Sequence, residues 1–247
     1  MKLRHLAPLS LIFATAALAA GPHWEYEGHH GPAHWGEMNK DYELCGLGKQ
    51  QSPIDIRKTE VKADLAELGF DYAASPLKIV NNGHTVQVNL DSAGGLKIGD
   101  HVYRLAQFHF HTPSEEMVKG SRYSMVAHLV HKDAEGKLAV VAVLIRKGKE
   151  NAALKAVFDN MPIGAGPVHS VEGLSINAAD LLPAKRGYYH FPGSLTTPPC
   201  SEGVSWYVLS TPVEASVAQI QAFKSLYKHN ARPVQPLNGR GVVERAG

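Results

Sequence analysis

Only two of the 247 residues are cysteine, and no block of Lys or Arg is long enough to follow a phosphate backbone. No apolar run reaches the roughly 20 residues that a membrane-crossing helix needs. The 25 basic and 23 acidic residues nearly cancel, so nucleic acid is not an expected partner. Charged residues make up 19% and hydrophobic residues 44%, a balance that excludes a disordered or collagenous chain. There is no internal repeat and no low-complexity linker. Pro and Gly are scattered as turn punctuation, which predicts one domain with its own buried core.

The first twenty residues have the pattern of an address. Lys2, Arg4 and His5 precede an apolar run from Leu6 to Ala19, which closes on the small-x-small sequence Ala17-Leu18-Ala19. Residues 1–20 are therefore expected to be a cleaved signal peptide, with 21–247 forming the exported domain. Losing Lys2 and Arg4 would leave 23 charges of each sign. Export gives meaning to the even pair Cys45 and Cys200, which are expected to form a disulfide in an oxidising compartment, periplasmic or extracellular. No membrane association is expected after cleavage.

Alternating apolar and polar residues predict strands at Thr85–Leu90, Leu105–His111, Ser124–His131, Leu138–Ile145 and Val204–Leu209. A turn is expected at Ser92–Gly95, and a hairpin turn at Asp133–Gly136. Val217, Ile220, Phe223 and Leu226 have helical spacing, with Ser216 and Gln219 placed for a capping box. A shorter helix is expected over Ala152–Asp159. The fold class that follows is mainly β (α+β): one domain around a large twisted, mostly antiparallel sheet with short peripheral helices.

Fourteen histidines stand out in this composition. In Gln107-Phe108-His109-Phe110-His111, period two puts both histidines on one strand face and both phenylalanines on the other. Two adjacent same-face imidazoles can chelate one metal without bending the backbone. A third comes from Met125–His131, where His128 and His131 have opposite parity and only one can face the ion. Parity alone does not choose between them. Three neutral imidazoles suit zinc, which in catalytic sites keeps a fourth position for water. The spacing His109-x-His111-x-x-x-Glu115 also fits a cupin metal site, but the second Gly- and Pro-rich motif that a cupin requires is absent downstream.

Further motifs occur in a distinctive order: Gly31-Pro32-Ala33-His34-Trp35, Gln51-Ser52-Pro53-Ile54-Asp55-Ile56, Asn82-Gly83-His84, the segment Gln107–His111, and His128-Leu129-Val130-His131. Gly193–Glu202, which contains Leu195-Thr196-Thr197, and Arg232–Leu237 complete the set. With these, the chain from about His23 to Arg240 resembles an α-class carbonic anhydrase of the bacterial exported type.

The resemblance implies reversible hydration of carbon dioxide to bicarbonate by a zinc-bound hydroxide, with weak esterase activity and inhibition by sulfonamides. It implies His109, His111 and His128 as zinc ligands and leaves His131 structural. Gln107 would orient His109, and Glu115 would hold the Thr196 hydroxyl that aims the nucleophile. Thr197 would contact bicarbonate, while Val130, Val140, Leu195, Val204 and Trp206 would form the apolar wall for CO2. His84 would relay protons, with Tyr26, Asn82 and Gln87 ordering water between it and the ion. A homodimer is expected by analogy only. One departure is visible: the family often places a Glu two residues before the third ligand, and here Val126 stands there, so His128 must find another acceptor or water. A catalytically silent relative would lack one or more of the metal histidines, and all three are present.

Overall fold

The alternating and continuously apolar stretches become strands in the computed structural model, which describes residues 22–247. The expected signal peptide lies outside the described residues. The principal strands are β1 (Ser75–Asn81), β2 (Val86–Asn89), β3 (His101–His111), β4 (Met125–Lys132), β5 (Leu138–Lys147), β6 (His169–Ile176), β7 (Tyr188–Ser194) and β8 (Glu202–Leu209). They belong to one thirteen-stranded sheet in the order β6-β1-β2-β3-β4-β5-β8-β7, extended past β7 by Val243–Arg245 and Glu60–Val61. Pairing is mostly antiparallel, with β5 and β8 running parallel. The helices are few and peripheral, as expected: α1 spans Ala152–Phe158 and α2 spans Val217–Leu226. The α2 capping box forms, because the Ser216 side chain accepts from Gln219 N–H while the Gln219 side chain accepts from Ser216 N–H.

Each face of the sheet carries its own core. On one side Phe108, Phe110, Leu129 and Val141 pack with Phe158 of α1 and Phe223 of α2. On the other, Val126, Val140, Ala142, Val204 and Trp206 pack with Ile54 and Ile56 from the segment that crosses beneath. Covered on both faces, β5 is apolar at nearly every position rather than at every second one. The Asp133–Gly136 turn joins β4 to β5, closed by Asp133 N–H donating to the Lys137 carbonyl at 3.0 Å.

Cys45 and Cys200 form the expected disulfide across 155 positions, and it packs with the buried Trp35. The Arg232 guanidinium is buried beside it, donating to the Cys45 and Ser52 carbonyls and to Gln51 Oε1 at 2.8–3.0 Å. Gln51 in turn donates to the Cys200 carbonyl at 3.0 Å. Among the described residues, no helix is long and apolar enough to cross a membrane.

Candidate metal centre

The register of β3 against β4 sets His128 directly opposite His109, on the same sheet face as His111. This answers the parity question left by the sequence. The pairing slips between Val130 and His131, and His131 points into the opposite core. There it donates from Nδ1 to the Ala139 carbonyl at 3.2 Å and accepts from the Tyr72 hydroxyl at 2.6 Å. Both ring nitrogens are thus used, as a structural histidine requires.

The three facing rings are each held from behind. His109 Nδ1 donates to Gln107 Oε1 at 2.8 Å, and His111 Nδ1 donates to the Asn230 carbonyl at 2.7 Å. His128 differs: its Nε2 donates to Glu116 Oε1 at 2.9 Å. The lone pairs left are therefore His109 Nε2, His111 Nε2 and His128 Nδ1. The ligand atoms of the three residues lie within 4.8 Å of one another. His111 Nε2 is buried with no hydrogen-bond partner, a costly arrangement for a polar atom unless a ligand takes the lone pair. The donor set fits a divalent metal. Burial holds His109 down to about 3, with His128 adding to the shift, and holds His111 well below its ordinary value. Both are neutral, as ligands must be. Burial opposes charge on His128 as well, but the Glu116 carboxylate outweighs it and leaves its pKa raised.

Glu115 and Glu116 are consecutive, and both are fully buried. Glu115 Oε1 accepts from the Arg232 backbone N–H at 2.7 Å. Its Oε2 lies 3.4 Å from His111 Nε2 and 3.8 Å from His128 Nδ1. Burial raises the Glu115 pKa to about 7, with Glu116 pushing the same way and His128, Thr196 and Arg232 pulling it down. Glu115 Oε2 is buried with no hydrogen-bond partner among the described residues.

A cavity of about 170 Å³ opens over the three rings. Thr196 and Thr197 line it together with Val130, Val140, Leu195 and Trp206. Tyr26, Asn82, Gln87 and Gln107 line its polar side, where the Gln87 amide donates to Asn89 Oδ1 at 2.6 Å. Two further expected residues lie next to this lining. Val204 shares its strand face with Trp206 and is buried beside it in the apolar cluster that Leu195 also joins. His84 stands behind Trp24, whose ring lines the cavity and stacks on the imidazole at 3.6 Å and 8°. Burial lowers the His84 pKa, and His23, with its ring centroid 5.9 Å away, lowers it further against the opposing pull of Glu25.

Four contributors had no local signal: Trp24, Glu116, Asn230 and the backbone of Arg232. Asn230 is fully buried and ties the site together. Besides accepting from His111, it accepts from Thr112 N–H and donates to the carbonyls of Phe110 and His84. These contacts span well over a hundred positions, and no local spacing encodes them.

A family profile described as eukaryotic-type carbonic anhydrase matches residues 30–246. A carbonic anhydrase of Klebsiella pneumoniae is 46% identical over 226 residues, covering 90% of this chain and 91% of that protein. One from a Nostoc species is 42% identical over 254 residues, covering 99% and 96%. Among solved structures, the α-carbonic anhydrase of Thermovibrio ammonificans, determined with the inhibitor sulfanilamide, superposes with a TM-score of 0.87 at 44% identity, covering 91% of this chain and all of that one. Sequence, fold and the three-histidine cluster converge, and the chain belongs to the α-class, or eukaryotic-type, carbonic anhydrases, enzymes that hydrate carbon dioxide.

Proposed function

We propose that the chain hydrates carbon dioxide reversibly with zinc held by His109 Nε2, His111 Nε2 and His128 Nδ1. The observation that carries this reading is the orphaned, buried His111 Nε2 among three rings whose other nitrogens are already engaged. Neutral ligands leave a bound zinc ion its full double charge, and what it supplies is a water made acidic enough to furnish hydroxide near neutral pH.

The chain's own residues do the rest. The Thr196 hydroxyl donates toward Glu115, so its oxygen is left to accept from the nucleophile and to aim that nucleophile's lone pair at the substrate. Thr197 offers a polar contact to the bicarbonate product. CO2 has no net dipole, and the apolar wall of Val130, Val140, Leu195 and Trp206 receives it without demanding a hydrogen bond. Val204 packs beside this wall, on the same face of β8 as Trp206. His84 accepts the proton released in each cycle and passes it to buffer, with Tyr26, Asn82 and Gln87 lining the path for water. The disulfide and the leader pattern support export to the periplasm or beyond.

The test pairs metal analysis with stopped-flow CO2 hydration. One zinc per chain, activity lost to a chelator and restored by zinc, and loss of both in His111→Ala are expected. Full activity in metal-free protein, or in His111→Ala, overturns the reading. The same site should hydrolyse activated esters weakly. It should also bind primary aromatic sulfonamides, whose deprotonated nitrogen can still donate to Thr196.

A further inference from the structure

We propose that Glu116 is a positioning residue for the metal site, selecting the His128 tautomer that turns Nδ1 to the ion and replacing an acceptor that strand β4 does not carry. The proposal rests on the zinc reading above and names the group that gives the third ligand its orientation.

His109 takes its acceptor from its own strand, two residues earlier, where Gln107 shares its face. The corresponding position before His128 is Val126, which is fully buried and packs in the apolar cluster with Ile54 and Ile56. Strand β4 therefore offers His128 no polar side chain at that position. The partner is delivered instead by Glu116, twelve positions upstream and outside β4, with Oε1 2.9 Å from His128 Nε2.

The backbone around Glu116 is pinned so that this reach is not accidental. Ser114 Oγ donates to the Glu116 carbonyl at 2.7 Å, and Met117 N–H donates to the Ile54 carbonyl at 3.1 Å. Immediately after Glu116, Met117 and Val118 pair in parallel with Asp55 and Ile56. The carboxylate is fully buried and its second oxygen has no hydrogen-bond partner. A buried carboxylate is costly unless something is gained from it. Its one hydrogen bond goes to His128, and that bond places the ring proton on Nε2 and leaves Nδ1 free. His109 and His111 leave Nε2 free, so His128 joins them in the opposite sense, through Nδ1. Partners of this kind, behind a ligand, govern how tightly a metal is kept.

The experiment measures the rate at which zinc-loaded protein gives up its metal to a pyridine-dicarboxylate chelator, alongside near-ultraviolet circular dichroism and the visible spectrum of the cobalt-substituted protein. Glu116→Ala is expected to lose zinc about 10- to 100-fold faster than wild type, with an altered cobalt spectrum. Glu116→Gln keeps an acceptor oxygen and should fall between the two. The double variant Glu116→Ala with Val126→Glu returns a carboxylate to the ligand's own strand face and should recover slow release. Wild-type release from Glu116→Ala overturns the proposal. So does equal loss in the Ala and Gln variants with no recovery in the double variant. A wild-type protein that takes up no zinc overturns the underlying zinc reading, a result distinguishable from either.

Discussion

The backbone N–H of Arg232 donates to Glu115 Oε1 at 2.7 Å while its guanidinium, on the other side, donates to the Cys45 carbonyl at 3.0 Å. One residue thereby joins the carboxylate beside the three-histidine cluster to the disulfide that anchors the loop of Thr196. Burial lowers the Arg232 pKa to about 10, with Glu115 opposing, so the guanidinium stays charged at neutral pH. Arg232→Ala strips partners from buried carbonyls of Cys45 and Ser52 and from Gln51. The expected loss is about 3 kcal/mol or more of unfolding free energy, measurable by urea denaturation.

Reduction of Cys45–Cys200 releases a cross-link spanning 155 positions. The chain-entropy estimate puts its contribution at up to about 5 kcal/mol. The melting temperature should fall in reductant, and CO2 hydration should fall with it, because Cys200 N–H donates to the Thr197 carbonyl at 2.9 Å and closes the loop that carries both threonines. An unchanged melting curve under full reduction would count against this.

His84→Ala should lower the maximal CO2 hydration rate about 10-fold or more in dilute buffer while leaving kcat/KM nearly intact. Imidazole buffer should restore the rate. A group that accepts a proton must first be neutral, and the His84 pKa is shifted below 6.5. The proton-transfer limb of the pH profile should therefore lie on the acid side of that value. Trp24→Ala removes the stacked ring and should move this limb back toward 6.5.

His131 bears on acid stability. Burial lowers its pKa from 6.5 to about 4, against the pull of its backbone hydrogen bonds. The folded state therefore binds fewer protons than the unfolded chain between these values. Its contribution is fully present above pH 6.5 and is lost as pH falls toward 4, amounting to roughly 3 kcal/mol over that window. His131→Gln should flatten the dependence of unfolding free energy on pH in this range, whatever its effect at pH 7.5.

Much of the site is legible in the sequence because strands repeat every two residues. His109 and His111 had to share a face, and Phe108 and Phe110 had to pack behind them. The α2 capping box and the 133–136 hairpin turn are equally local, and both formed as expected. The strands β1, β6 and β7 were not foreseen. The sequence of β7 includes Pro192 and Gly193, and β6 is an exposed sheet edge, so neither shows the alternation of a half-buried strand.

Local spacing by itself determined the fold class, the paired histidines and the helix cap, since each depends on neighbours a few residues apart. Which of His128 and His131 joins His109 and His111 was decided by register, because the facing strand sets the pairing and a slip follows Val130. The backing of His111 by Asn230 and of His128 by Glu116, and the link from Arg232 to Glu115, were decided only by tertiary structure. Their partners lie 12 to 119 positions apart, and a buried polar atom takes whichever complementary atom the folded chain brings within reach.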